Sequence, residues 1–130
     1  MTDILIGLVL AAATVGSARL IGFDRDQAFY PVVLIVIAWL YVLFAAIDGH
    51  LAVIVPEAVA ALVFSVVAIA GYKQSVWWLV AGYALHGGWD LFHDQIIANA
   101  GVPVWWPEFC LGYDGAVAVY LGIRAQKSVV

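Results

Sequence analysis

Four ionisable side chains recur at close spacing in one apolar stretch of the sequence: His86, Asp90, His93 and Asp94. If this stretch is helical, offsets of four, seven and eight residues place all four within an arc of about 100° on one helix face. Ionisable residues are expensive in hydrocarbon surroundings and usually face a protein partner or a functional site. These residues are therefore the first candidates for chemistry.

The residue types suit a divalent metal ion, because zinc, iron and manganese all accept imidazole nitrogen and carboxylate oxygen as ligands. The predicted ligands are His86, Asp90, His93 and Asp94. The Asp90-x-x-His93 spacing matches the Glu-x-x-His pairs of helical di-metal sites, with a shorter acid. One copy occurs in the chain, so a two-metal site would need a homo-oligomer. A site for one ion would add a carboxylate from Asp114, Glu57 or Glu108.

The same residues also suit acid–base catalysis without a metal. A carboxylate hydrogen-bonded to an imidazole fixes the ring's tautomer and tunes its basicity, so the predicted catalytic set is His86, Asp90 and Asp114. In a pocket open to the bilayer, this set would transfer protons on a hydrophobic, lipid-like or isoprenoid substrate. Two other functions use the same groups: a small transporter of protons or cations, and a structural subunit of a larger membrane complex.

Two acids outside this stretch have a simpler interpretation. Glu57 and Glu108 each follow a proline, so we expect them in the first turn of a helix, where the helix dipole stabilises a carboxylate. Capping is favoured over catalysis for both. Cys110 falls four residues before Asp114 on the same predicted face, and we expect it to act as a small buried apolar residue.

The composition indicates a chain whose solvent is a lipid bilayer. Of its 130 residues, 66% are hydrophobic and 11% are charged, against roughly 45–50% and about 25% in soluble domains. So few charges could not cover a soluble monomer, and that class is excluded. Five Lys and Arg residues and a net charge of −4 also exclude nucleic acid as a partner, because phosphate binding needs a basic surface.

Five apolar segments approach the roughly 20 residues that a membrane helix needs. We predict a single all-α transmembrane bundle with spans at residues 3–20, 31–48, 52–71, 76–98 and 107–123. Pro31, Pro56 and Pro107 each fit the first turn of a helix, where the missing N–H costs nothing. The third span has two possible starts, one near His50 and one at Pro56. Two tryptophan pairs, at residues 77–78 and 105–106, fit the aromatic belts at the membrane interfaces.

The basic residues predict the orientation of this bundle. Short connections make successive helices antiparallel, and all five Lys and Arg side chains then fall on one side, which the positive-inside rule makes cytoplasmic. They are Arg19, Arg25, Lys73, Arg124 and Lys127. We therefore predict that the N-terminus is outside and the C-terminus inside. At a rise of about 1.5 Å per residue, His86 lies near the midplane, and the other buried acids and histidines lie in the outer half.

One region resembles a group of short, uncharacterised bacterial multi-helix membrane proteins. The resemblance covers about the C-terminal third of the chain and is carried by His86-Gly-Gly-Trp-Asp90-Leu-Phe-His93-Asp94, Pro103-Val-Trp-Trp-Pro107 and Cys110-x-x-x-Asp114. It implies a location in the bacterial inner (plasma) membrane. It implies no particular reaction.

Overall fold

Helices make up most of the computed structural model, which describes residues 1–129 and the side chains of residues 1–127. Within that range the chain forms five α-helices and one short 3-10 helix, Phe23–Arg25. The α-helices are α1 (Thr2–Ile21), α2 (Phe29–Asp48), α3 (Leu51–Lys73), α4 (Val76–Ile96) and α5 (Trp106–Val129). The prediction of an all-α fold is confirmed.

Three of these helices, α1, α2 and α3, are long and apolar enough to cross a membrane. They indicate an integral membrane protein. The other two helices, α4 and α5, contain 21 and 24 residues. They carry most of the predicted site residues, and these polar side chains make α4 and α5 less hydrophobic than the other three helices.

Local sequence determines where several helices begin and end. Gly22 and Gly49 have positive φ angles of 99° and 82° and end α1 and α2, a left-handed conformation that glycine adopts without a Cβ penalty. Ser75 precedes α4, and its hydroxyl accepts a hydrogen bond of 3.3 Å from the Trp77 N–H. This side-chain bond satisfies one of the free amides at the helix start.

Two of the three prolines lie in first turns as predicted, Pro31 in α2 and Pro107 in α5. The prediction for Pro56 is wrong, because α3 already begins at Leu51 and Pro56 lies inside it. Gly49 reverses the chain immediately after α2, so the apolar residues that follow His50 are already helical. Glu57 is therefore beyond the first turn, and its expected capping role is also wrong.

Helix α4 lies at the centre of the packing. It contacts α5, α3 and α2, whereas α1 packs against α5 and the 3-10 turn. Helix α2 turns a stripe of buried residues inward at intervals of three or four, which is the spacing of one helix face. The stripe includes Tyr30, Leu34, Ala38, Tyr41 and Ala45.

Helices α1 and α5 approach each other closely at two glycines. A Cβ added at Gly7 would lie 2.1 Å from the carbonyl oxygen of Phe109, and one added at Gly112 would lie 2.4 Å from the carbonyl oxygen of Ile4. Any side chain at either position would overlap backbone of the other helix. Small residues at membrane helix crossings allow such close backbone contact.

The two ends of the bundle differ in charge. All five basic side chains line two cavities at the end formed by the first connection, the α3–α4 connection and the end of α5. There Arg124 Nη1 lies 3.6 Å from Asp24 Oδ2. At the opposite end the N-terminal amine lies 3.4 Å from Glu108 Oε2, in the first turn of α5. The expected first-turn position of Glu108 is thus confirmed.

The tryptophan pairs only partly match their predicted interfacial positions. Trp77, Trp78 and Trp105 are exposed on the protein surface, as an interfacial side chain would be. Trp106 is buried and packs edge to face against Phe44, with ring centroids 4.9 Å apart. Trp106 is directed toward Phe44 of α2, so its ring packs inside the bundle rather than on its surface.

Candidate functional site

Five acidic and histidine side chains are buried where α4 packs against α3 and α5. Each is at most 3% exposed. They are Glu57 of α3, His86, Asp90 and His93 of α4, and Asp114 of α5. The three α4 residues share the helix stripe that faces the other helices, which is what their spacing predicts. We call these five residues the buried cluster.

The first half of the buried cluster is centred on the His86 ring. His86 Nδ1 lies 2.7 Å from Asp114 Oδ2 and 3.4 Å from Asp90 Oδ2. These three side chains each offer one metal-ligand atom, and the three atoms lie within 4.8 Å of one another. The ring of Phe64 packs edge to face against His86, with centroids 4.8 Å apart. An imidazole nitrogen therefore faces two carboxylates inside an aromatic enclosure.

The second half of the buried cluster joins His93 to Glu57. His93 Nε2 lies 2.8 Å from both oxygens of the Glu57 carboxylate. Asn99, in the connection after α4, donates from Nδ2 to Glu57 Oε2 at 2.6 Å and to the Tyr41 carbonyl oxygen at 3.0 Å. Glu57 is thus a partner of the α4 histidine rather than a helix cap.

Tyr41 of α2 connects the two halves. Its hydroxyl donates to Asp90 Oδ1, and its ring stacks on His93 with centroids 4.0 Å apart and an interplanar angle of 19°. Its own carbonyl oxygen accepts the bond from Asn99. One tyrosine therefore contacts Asp90 in the first half and His93 in the second.

The structure does not bring every predicted residue into this group. Asp94 is exposed, and it lies at the edge of the polar arc, about 80° around the helix from His86 and two residues before α4 ends. Glu108 is exposed beside the N-terminal amine. Cys110 is a free, buried thiol, which agrees with its expected apolar role. Of the predicted metal ligands, His86 and Asp90 are joined by Asp114, while His93 contacts Glu57.

Comparison with known proteins adds no assignment. No protein-family model, curated protein or solved structure matches the chain. The interpretation therefore depends on the chemistry of the buried cluster itself.

Three polar atoms of the cluster are buried without a hydrogen-bond partner among the described residues. They are His86 Nε2, Asp90 Oδ2 and Asp114 Oδ1. Buried polar atoms are nearly always paired, and unpaired carboxylate oxygens beside an imidazole are an acceptor set for a cation. A tetrahedral metal ion with bonds of about 2.0–2.2 Å holds neighbouring ligand atoms roughly 3.3–3.6 Å apart. The 3.4 Å between His86 Nδ1 and Asp90 Oδ2 falls in that range, whereas the 2.7 Å between His86 Nδ1 and Asp114 Oδ2 is a hydrogen-bond distance that a bound ion would lengthen.

Two members of this site were not predicted from the sequence. Tyr41 carries the one hydroxyl in the otherwise apolar run of residues 32–47, a signal that could have identified it. Asn99 is a polar residue in a loop, and its sequence context carries no comparable signal. Both positions depend on which helices become neighbours, and single-helix spacing does not report this.

Proposed function

We propose that this chain is a membrane-embedded enzyme whose centre, formed by His86, Asp90 and Asp114, binds one divalent metal ion and acts on a hydrophobic substrate. The observation that carries the proposal is the charge of the buried cluster. It contains three carboxylates and two imidazoles, and neither Lys nor Arg occurs in it. With every carboxylate ionised, even two protonated histidines would leave one negative charge unpaired.

An unpaired buried charge is strongly destabilising, so the cluster needs one further positive charge, carried by a metal ion or by a proton. A divalent ion on neutral His86, ionised Asp90 and ionised Asp114 makes the first half of the cluster neutral. A protonated His93 beside ionised Glu57, 2.8 Å away, makes the second half neutral. Without a metal, protons held by His86 and by one of the two aspartates would also make the first half neutral. His86, Asp90 and Asp114 would then act as an acid–base centre.

The number of ligands favours catalysis over a purely structural metal site. Structural zinc sites use four protein ligands, whereas catalytic sites use three and leave one position for water or substrate. The buried cluster brings together three ligand side chains, His86, Asp90 and Asp114. When bound, the metal would supply a Lewis acid and an activated water. Tyr41 would orient Asp90, and the rings of Phe64 and Trp89 would favour an apolar substrate over water.

We also propose that all five helices cross the bilayer, with the N-terminus outside, in the bacterial plasma membrane. The gathering of the five basic side chains at one end of the bundle supports this orientation through the positive-inside rule. Glu57 and Asn99 then lie toward the outer side.

Metal analysis of the detergent-purified chain tests the proposed centre with a matched pair of variants on one helix. Elemental analysis should find about one zinc, iron or manganese ion per wild-type chain. Asp90→Asn removes a buried ligand and should lower the metal affinity at least tenfold, because loss of even an outer-shell partner commonly costs about 10–100-fold. Asp94→Asn makes the same chemical change at an exposed position four residues away and should retain the ion.

Equal metal loss in both variants, or a metal-free wild-type protein, would contradict the metal centre. Circular dichroism on each variant distinguishes ligand loss from unfolding.

The second candidate function is proton or cation transport. It is favoured by two hydrogen-bonded groups, Asn99–Glu57–His93 and Tyr41–Asp90, which meet where the Tyr41 ring stacks on His93. A metal-free protein whose proteoliposome proton flux is lost in Asp90→Asn would support that function instead.

A further inference from the structure

A second candidate site lies at the basic end of the bundle, and its lining shares no residue with the buried cluster. A cavity of about 500 Å³ opens there between the first connection, the α3–α4 connection and the last turns of α5. This volume falls within the range of roughly 300–1,000 Å³ that is usual for small-molecule sites. Its wall includes Arg25, Lys73 and Arg124, one basic residue from each of the three segments.

The charges around this cavity favour an anion. Its walls carry three basic side chains and two carboxylates, Asp24 and Asp26, which leaves one positive charge. Asp24 is already engaged, because its Oδ2 lies 3.6 Å from Arg124 Nη1 and accepts a 3.0 Å bond from the Tyr120 hydroxyl. Asp26 Oδ1 accepts a bond from the Ala28 N–H. Among the described residues, neither Arg25 nor Lys73 forms an ion pair.

Two further features of the wall would favour a ligand rich in oxygen. Ser75 and Val76 line the cavity, so the first turn of the 21-residue α4 opens onto it and contributes the positive end of a helix dipole. Tyr30 is also part of the wall, and its buried hydroxyl has no hydrogen-bond partner among the described residues. A phosphate group, with several acceptor oxygens, complements both features.

The position of the cavity relative to the membrane identifies the source of that phosphate. Two apolar helices long enough to cross a membrane have ends here, α2 at Phe29 and α3 at Lys73. The cavity therefore lies at a membrane boundary, where phospholipid headgroups are concentrated. The exposed rings of Trp77 and Trp78, just after Ser75, suit the same interfacial depth.

We propose that this cavity binds the phosphate headgroup of an anionic phospholipid from the adjacent leaflet. Arg25 and Lys73 supply the unpaired positive charges, and Arg124 and the start of α4 complete the enclosure. Basic pockets between membrane helices on the cytoplasmic side are a known means of binding anionic lipid headgroups. The site is separate from the buried cluster and does not depend on the function proposed for it.

Titration of the detergent-purified full chain with a short-chain phosphatidylglycerol tests this site, with tryptophan fluorescence as the readout. Wild-type protein should bind phosphatidylglycerol more tightly than phosphatidylcholine or inorganic phosphate. The double variant Arg25→Gln/Lys73→Gln should weaken binding by about tenfold or more, because each basic residue near an anionic headgroup contributes appreciably. The control Arg19→Gln/Lys127→Gln removes the same charge from the same end of the bundle without changing this cavity's walls.

Equal weakening in the two double variants would show a diffuse charge effect and would overturn the site. Equal affinity for phosphatidylcholine would overturn the anionic specificity, and equal affinity for inorganic phosphate would overturn the lipid assignment. Helical circular dichroism and monodisperse elution of both double variants establish that each one is folded. The single variant Lys73→Gln, exposed at the end of α3, provides a milder test that should weaken binding in the same direction.

Discussion

Tyr41 has a central position in the buried cluster at the scale of single residues. Its hydroxyl bonds to Asp90, its ring stacks on His93, and its backbone carbonyl accepts a bond from Asn99. A tyrosine is suited to this role because it combines a large apolar ring with one polar atom. The hydroxyl donates to a carboxylate oxygen of Asp90, which is only 1% exposed.

Replacing Tyr41 by Phe should destabilise the protein because it leaves Asp90 Oδ1 buried without its donor. An unsatisfied buried polar group costs about 1–3 kcal/mol, and we expect a loss of that order in the free energy of unfolding. Denaturant-induced unfolding in detergent measures it. Tyr72→Phe makes the same chemical change on an exposed tyrosine and should have little effect. Equal stability of the two variants would contradict the role assigned to Tyr41.

Glu57 shows what helix spacing alone cannot resolve at a single residue. The proline before it predicts a first-turn carboxylate, but α3 begins six residues earlier and Glu57 reaches His93. A proline fits the first turn of a helix at little cost, so the local sequence favours a helix start at Pro56. The break at Gly49 and His50 favours the earlier start, and α3 begins there. The true role depends on α4, which no local signal includes.

At the scale of elements, the contact between α1 and α5 depends on the absence of side chains. Gly7 and Gly112 each face a backbone carbonyl of the other helix at less than 2.5 Å from an added Cβ. A helix pair with such contacts must separate to admit even one methyl group. Among the residues that the structure describes, α1 packs only against α5 and the 3-10 turn, so it has little other support in the bundle.

Gly112→Ala should therefore destabilise the bundle even though alanine is the better helix former. Gly115, also on α5, has nothing within 4 Å of an added Cβ, and Gly115→Ala should be neutral or stabilising by up to about 1 kcal/mol. Thermal unfolding in detergent compares the two variants. The opposite sign of the two effects is the expected result, and destabilisation of similar size in both would indicate a general intolerance of alanine on α5.

The sequence predicted the helices well at this scale because apolar runs and turn residues act locally. Helices α2 and α4 begin within two residues of their predicted starts, and α2 ends at Asp48 as predicted. Helix α5 continues beyond residue 123 to Val129. Its polar final turns carry Arg124 and Lys127 past the apolar segment from which its predicted end was derived.

At the scale of the whole molecule, the separation of charge indicates an orientation. The five basic side chains lie at one end, and Glu57 and Asn99 lie toward the other. If the basic end is cytoplasmic, the buried cluster occupies the outer half of the bundle. The proposed lipid site would then lie on the cytoplasmic side. The positive-inside rule expects basic residues there, and the cytoplasmic leaflet is rich in anionic phospholipids.

Cysteine labelling measures this orientation directly. In a Cys110→Ala background, a membrane-impermeant maleimide should label Ala100→Cys in spheroplasts and Gln27→Cys only in inverted vesicles. Both positions are exposed, and α2, α3 and α4 separate them. Labelling of both from the same side would contradict the crossing of the membrane by all three helices. Labelling of Gln27→Cys in spheroplasts would reverse the proposed orientation.

The sequence alone determined that this chain is helical and apolar, where most helices lie, and that one face of α4 carries ionisable residues. These properties follow from composition and from the 3.6-residue period, which act within single segments. The tertiary structure decided which residues share a site. It placed Tyr41, Glu57 and Asp114 beside the α4 residues and left Asp94 exposed, because burial and pairing depend on the neighbouring helices. Contacts between distant segments have no local signature, so the buried cluster could be anticipated only in part.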